Sequence, residues 1–135
     1  MRALLLADAA EQLVGAPFRL HGRTAATGLD CIGVLAVSLE AIGCKAPLPS
    51  AYSLRARRIP GLSMIAMRCG FNAVSGALQP GDALLARVGA CQFHLFVTAR
   101  CGRLIHAHAG VGRVIIEPMP QNCIIAGHWR LPDQD

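Results

Sequence analysis

The chain has 135 residues, 53% of them hydrophobic, 16% charged and only 4% aromatic, with a net charge of +5. That length suits a single domain, residues 1–135, able to bury a core without metal or disulfide staples, and so few aromatic residues imply a core of Ala, Leu, Ile and Val. The longest apolar region, from Cys31 to Cys44, is broken by Glu40 and falls short of the roughly 18 residues a membrane span needs. Asp8 and Glu11 cut short the apolar start of the chain, so no export signal is expected either.

Residues 3–14 form the first expected element, an amphipathic helix with Leu6, Ala9, Ala10, Leu13 and Val14 on one face and Asp8, Glu11 and Gln12 on the other. Gly15 and Pro17 end it. Residues 18–28 have the composition of a loop, and His21 within it is a candidate wall of a site, because loops that deliver a chain to a helix often line one. A second helix begins at Cys31. Val34, Leu35, Leu39 and Ile42 recur from it at helical spacing, and Asp30 is a good N-cap residue just ahead. Beyond Gly43 the prolines at 47, 49 and 60 mark an irregular stretch, with a short helix expected from Leu62 to Cys69.

Pro80-Gly81 is a turn, after which the pattern changes to short β-type runs: 83–88, 93–99, 103–108, 112–117 and 123–131. Helices first and strands afterwards predict an α+β domain, its N-terminal helices packed on a central antiparallel sheet, with the strands in a meander.

The positive charge favours anionic surroundings, and Arg55, Arg57 and Arg58 form its densest cluster. No aromatic residues interleave with these arginines and no nucleic-acid-binding motif is visible, so nucleic acid is not an expected partner. A solvated loop, or a contact with an anionic wall polymer, accounts for the cluster.

The six cysteines are Cys31, Cys44, Cys69, Cys91, Cys101 and Cys123. They contain no CxxC pair and no zinc-ligand spacing, so neither a metal site nor a cofactor is expected. Five read as small core hydrophobes or semi-exposed thiols. Cys31 differs because the free backbone N–H groups and the dipole of a helix N-terminus favour a thiolate there, which predicts that it alkylates faster than the other five. Against this stands the charge of the adjacent Asp30, which works to raise the thiol pKa.

Alternation along the run at 93–99 sends His94, Phe96 and Thr98 to one face and Phe93, Leu95, Val97 and Ala99 to the other. The next run places Leu104, His106 and His108 together. If Arg100-Cys101-Gly102 closes a hairpin of even register, His94 shares a face with His106 and His108, and an odd register separates them. A cysteine nucleophile, a histidine base and an orienting group are what a cysteine hydrolase needs. Spacing alone leaves His106 and His108 as rivals for the third place.

Five blocks in order then resemble one family: Gly15-Ala16-Pro17-Phe18, Gly28-Leu29-Asp30-Cys31-Ile32-Gly33, Pro80-Gly81-Asp82, His94-Leu95-Phe96-Val97 and Leu104-Ile105-His106-Ala107. Together they are similar to the NlpC/P60 cysteine peptidases, which have a papain-like fold and cut peptidoglycan stem peptides. The resemblance implies Cys31 as nucleophile, His94 as general base and His106 as the orienting residue, and it prefers His106 to His108 because Ala107 follows it. It also implies substrate-binding positions at Asp30 and Phe18. Phe18 replaces a tyrosine and Ile32 a serine, each removing a polar group that in some members helps to read a free amine. The implied cut is the D-glutamate–diaminopimelate bond.

The same departures, with His128-Trp129-Arg130-Leu131-Pro132 near the end, make the chain similar to a subgroup encoded with the tails of phages and gene-transfer agents. That likeness implies tail proteins as partners and a tail particle as the carrier to the wall. Two other classes stay open on the residues: a wall-binding or tail structural module without turnover, and an acyltransferase or amidase using the same Cys/His chemistry.

Overall fold

The computed structural model describes residues 1–44, 62–87 and 93–133; Arg55, Arg57, Arg58, Cys91 and the prolines at 47, 49 and 60 lie outside them. The described chain is α+β, with three helices, α1 (Arg2–Glu11), α2 (Cys31–Ala41) and α3 (Leu62–Arg68). Its strands are β1 (Arg23–Thr24), β2 (Gly28–Leu29), β3 (Asn72–Ala73), β4 (Ala83–Arg87), β5 (Phe93–Thr98), β6 (Leu104–His108), β7 (Arg113–Glu117) and β8 (Ile124–Arg130). Strands β1 and β2 make a small hairpin, and the other six form one antiparallel sheet in the order β3-β8-β4-β5-β6-β7.

Helix α1 is built from strong helix formers and buries Leu6, Ala7 and Ala10, with Leu13 following just beyond its end. Val14, expected on the same face, is instead exposed. The chain tightens there, with Leu13 N–H donating to Ala10 O and Val14 N–H to Glu11 O, and this tighter winding rotates Val14 off the buried stripe. Gly15, at φ +95°, then donates its N–H to Val114 O and ties the end of α1 to β7.

Helix α2 lies on the sheet face that carries Leu85, Phe93, Leu95, Val97, Ile105 and Ala107, and these residues share one core with Val34, Leu35 and Leu39. The opposite face carries a smaller cluster of Leu84, Ala86, Phe96 and Leu104. Alternation thus divides each strand between a helix side and a far side.

The expected meander covers only β4 to β7. Strand β8 crosses back and pairs with β4, with Ala83 opposite Trp129 and Leu84 opposite His128. One buried carboxylate anchors this return. Asp82, fully buried, accepts from His128 Nε2 at 2.6 Å, Arg130 Nε at 2.7 Å, Arg130 Nη2 at 2.8 Å and Gln79 N at 2.9 Å. The turn before it needs a glycine, because Gly81 has φ +85° and a Cβ there would lie 1.9 Å from Ala3 O.

Burial alone would raise the Asp82 pKa, but the hydrogen bonds from Arg130 and His128 outweigh it and hold the carboxyl below its ordinary 3.8. Its contribution to stability is therefore complete above pH 3.8 and is lost as pH falls through the folded-state value. Asp82→Asn is expected to cost about 3 kcal/mol at neutral pH, by leaving Arg130 without its buried partner. Urea unfolding of both proteins should show this gap at pH 7 and a much smaller one well below pH 3.8.

Candidate active site

Cys31 is the first residue of α2, and Asp30 caps the helix with backbone angles outside the helical region. Asp30 Oδ1 accepts from Gly33 N at 2.7 Å and from Arg23 Nη1 at 2.8 Å, while Oδ2 accepts from His21 N at 2.9 Å. Both oxygens of this buried carboxylate are therefore engaged within the chain. The loop before the helix packs so tightly that a Cβ on Gly33 would lie 2.2 Å from Gly22 O, and one on Gly22 would lie 2.2 Å from Gly28 O. Arg23 was not among the expected site residues, since it is the β1–β2 hairpin that brings it back to Asp30.

The thiol of Cys31 points into the sheet rather than to solvent, with 6% of the residue exposed, and it donates to Ala107 O at 3.6 Å. Burial pushes its pKa up from 9.0 to about 11, and the charge of Asp30 adds to the rise. Hydrogen bonds with the backbone of Leu95, Ala107 and Cys31 itself oppose this without reversing it. The activation expected from the helix N-terminus is therefore overcome here by desolvation.

The β5–β6 register is even, with Val97 opposite Ile105 and Thr98 opposite Leu104. His94, His106 and His108 consequently share one face. The ring centroids of His94 and His106 are 5.5 Å apart, as are those of His106 and His108, and Phe96 stands 4.6 Å from His106. His106 Nε2 is hydrogen-bonded to Glu117 Oε2 at 3.1 Å. Glu117 could have been found by carrying the strand pattern one hairpin further, because the register sets it opposite Leu104 on the histidine face.

This face is the far side of the sheet. Leu95 and Ala107, which contact Cys31, belong to the helix-side core, whereas Phe96 and Leu104, which alternate with the histidines, belong to the opposite cluster. The structure thus brings His94 together with His106 and seats Cys31 on the residues that follow each of them. Among the described residues no hydrogen bond joins the thiol to an imidazole. The Nδ1 atoms of His94 and His106 are buried, and neither has a hydrogen-bond partner among the described residues. Burial is the main cause lowering the pKa of each; the neighbouring histidines lower His94 further, and Glu117 partly offsets the shift of His106.

Of the other expected site residues, His21 is exposed at φ +61°, and its contact with Asp30 is made by its backbone. Phe18 is half-buried against the core. Among the described residues no group of three or more His, Cys, Asp or Glu side chains is arranged to hold a metal ion, and no helix is long and apolar enough to cross a membrane.

A shift from 9.0 to about 11 lowers the thiolate fraction roughly a hundredfold near neutral pH, so Cys31 should alkylate about that much more slowly in the native chain than in urea. Peptide mapping after timed iodoacetamide treatment measures the ratio. The histidine shifts predict that NMR titration places His94 and His106 below the ordinary 6.5. Because both shifts are downward, the stability tied to these neutral rings is present above pH 6.5 and falls as they are forced to protonate.

No family model and no curated protein matches the chain. Among solved structures, the P60 domain of an antigen from M. avium subspecies paratuberculosis superposes with a TM-score of 0.60 at 18% sequence identity, covering 96% of this chain and 93% of that one. The three helices before the sheet, the six-stranded antiparallel sheet and this overlap give the chain the papain-like fold of a P60 domain.

Proposed function

We propose that the chain is a cysteine peptidase of the NlpC/P60 kind, hydrolysing amide bonds in peptidoglycan stem peptides, with the D-glutamate–diaminopimelate bond as the cut. The observation that carries this reading is the seating of Cys31. It heads an Asp-capped helix and rests on the backbone of Leu95 and Ala107, the residues that follow His94 and His106. The likeness of the fold to a P60 domain supports it.

In this reading Cys31 Sγ attacks the peptide carbonyl, and its proton passes to His94. The backbone N–H of Cys31 at the helix tip stabilises the oxyanion. The tetrahedral intermediate collapses to a thioester as His94 protonates the departing amine, and water then attacks the thioester and restores the thiol. His106, tied to Glu117, orients His94. Turnover requires the thiol to leave the Ala107 carbonyl and the helix-side core and to meet an imidazole, and His94 Nδ1 has no hydrogen-bond partner among the described residues.

Asp30 is committed to the helix cap, Phe18 has no hydroxyl and Ile32 is buried, so a free substrate amine is not the feature gripped at this corner. Carriage to the wall by a tail particle, with tail proteins as partners, rests on the likeness of the sequence blocks alone. A second reading, a wall-binding or tail module without turnover, is favoured by the buried protonated thiol and by its hydrogen bond to the Ala107 carbonyl in place of an imidazole.

Purified peptidoglycan incubated with the chain should release muropeptides detectable by mass spectrometry, and Cys31→Ala and His94→Ala should each reduce release by more than about a thousandfold. Wall binding without Cys31-dependent release would replace the peptidase with the non-catalytic module. Cys31-dependent acyl transfer to lipid would replace it with a transferase.

A further inference from the structure

Cys44 lies just past the end of α2 and Cys69 just past the end of α3, and the two belong to one hydrophobic core cluster. Cys44 N–H donates to Leu39 O beyond the end of α2, and Cys69 N–H donates to Ile65 O and Ala66 O beyond the end of α3. Both thiols are free, Cys69 being buried in the core and Cys44 half-buried against it.

Arg2 closes the junction. Its Nη2 lies 2.9 Å from Cys44 Sγ, and a Cβ added to Gly70, the residue after Cys69, would lie 3.9 Å from the same Nη2. The guanidinium is held there by donating Nη1 to Pro132 O at 3.2 Å, so it is a fixed cation at the meeting point of four segments. Desolvation, followed by the proximity of Cys44, raises the Cys69 pKa, which keeps Cys69 as a thiol while Cys44 faces the cation.

We propose that Cys44 and Cys69, gathered under Arg2, form a reactive dithiol that is oxidised by low-molecular-weight disulfides. Cys44 has the access and the cation that thiol–disulfide exchange needs, since negative charge on its sulfur, when it attacks and when it leaves, is met by Arg2. The sulfur of Cys44 attacks one sulfur of the small disulfide, the S–S bond breaks, and one equivalent of small thiol departs. Cys69 then loses its proton to solvent and attacks Cys44 Sγ, releasing the second equivalent. Two protein thiols become one disulfide and one small disulfide becomes two thiols, so electrons and atoms balance. The cross-link ties α3 to the helix that begins with Cys31, and neither sulfur belongs to the peptidase proposal above.

The test uses the full chain and oxidised glutathione, with timed acid quench and peptide mapping of all six cysteines. Expected are an early glutathione adduct at Cys44, its replacement by a Cys44–Cys69 disulfide, and accumulation of the adduct in Cys69→Ser. Arg2→Gln should slow the reaction of Cys44 about tenfold, while Arg2→Lys keeps most of the rate and the exposed Cys101 serves as the internal reference. Circular dichroism of each variant confirms its fold. A stable Cys44 adduct in the wild type, a preferred disulfide involving Cys31, or a Cys44 rate unchanged in folded Arg2→Gln would overturn the proposal.

Discussion

A pleated strand sends successive side chains to opposite faces of its sheet, and the chemistry of this chain turns on that constraint. Along β5, Phe93, Leu95 and Val97 enter the core beneath the helices, so His94 and Phe96 must face the other way. Along β6 the same division separates Ile105 and Ala107 from Leu104 and His106. Cys31 reaches both strands from the helix side, where it hydrogen-bonds with their backbones. For this buried thiol the backbone hydrogen bonds offset only part of the loss of water, and its pKa rises accordingly.

Two buried carboxylates hold the frame in which this division occurs, and each is consumed by the fold. Asp30 spends one oxygen on the helix cap and Arg23 and the other on the backbone of His21, fixing the preceding loop against the first turn of α2. Asp82 joins the turn at Pro80-Gly81 to His128 and Arg130, bringing the last strand back beside β4. Buried carboxylates with their acceptor sites filled by N–H donors are stable as ions, which is why the chain tolerates them inside. The same engagement leaves Asp30 little capacity to meet a substrate.

Much of this was legible along the chain. Asp30 followed by apolar residues at helical spacing placed the start of α2 correctly, and the turn residues bounded β4 to β8 to within about two residues. The even register of the β5–β6 hairpin was one of two options set by the short turn at 100–102, and it does place His94 with His106. The return of β8 was not legible, because it depends on an ion pair between residues 48 apart in the chain. Nor was the pairing of Asp30 with Arg23, which requires the small hairpin to form first.

By itself the sequence determined the helix that presents Cys31, the strands that carry the histidines, and the fact that those histidines share a face. These follow from local periods of about 3.6 and 2 residues and from turn chemistry, which need no knowledge of distant contacts. Only the tertiary structure decided which face of the sheet the helices cover, and so on which side of it the thiol lies. It also decided how much water the thiol keeps and which donors occupy Asp30. Burial and long-range electrostatics are properties of the packed molecule, and here they push the thiol at the tip of α2 up to a pKa of about 11.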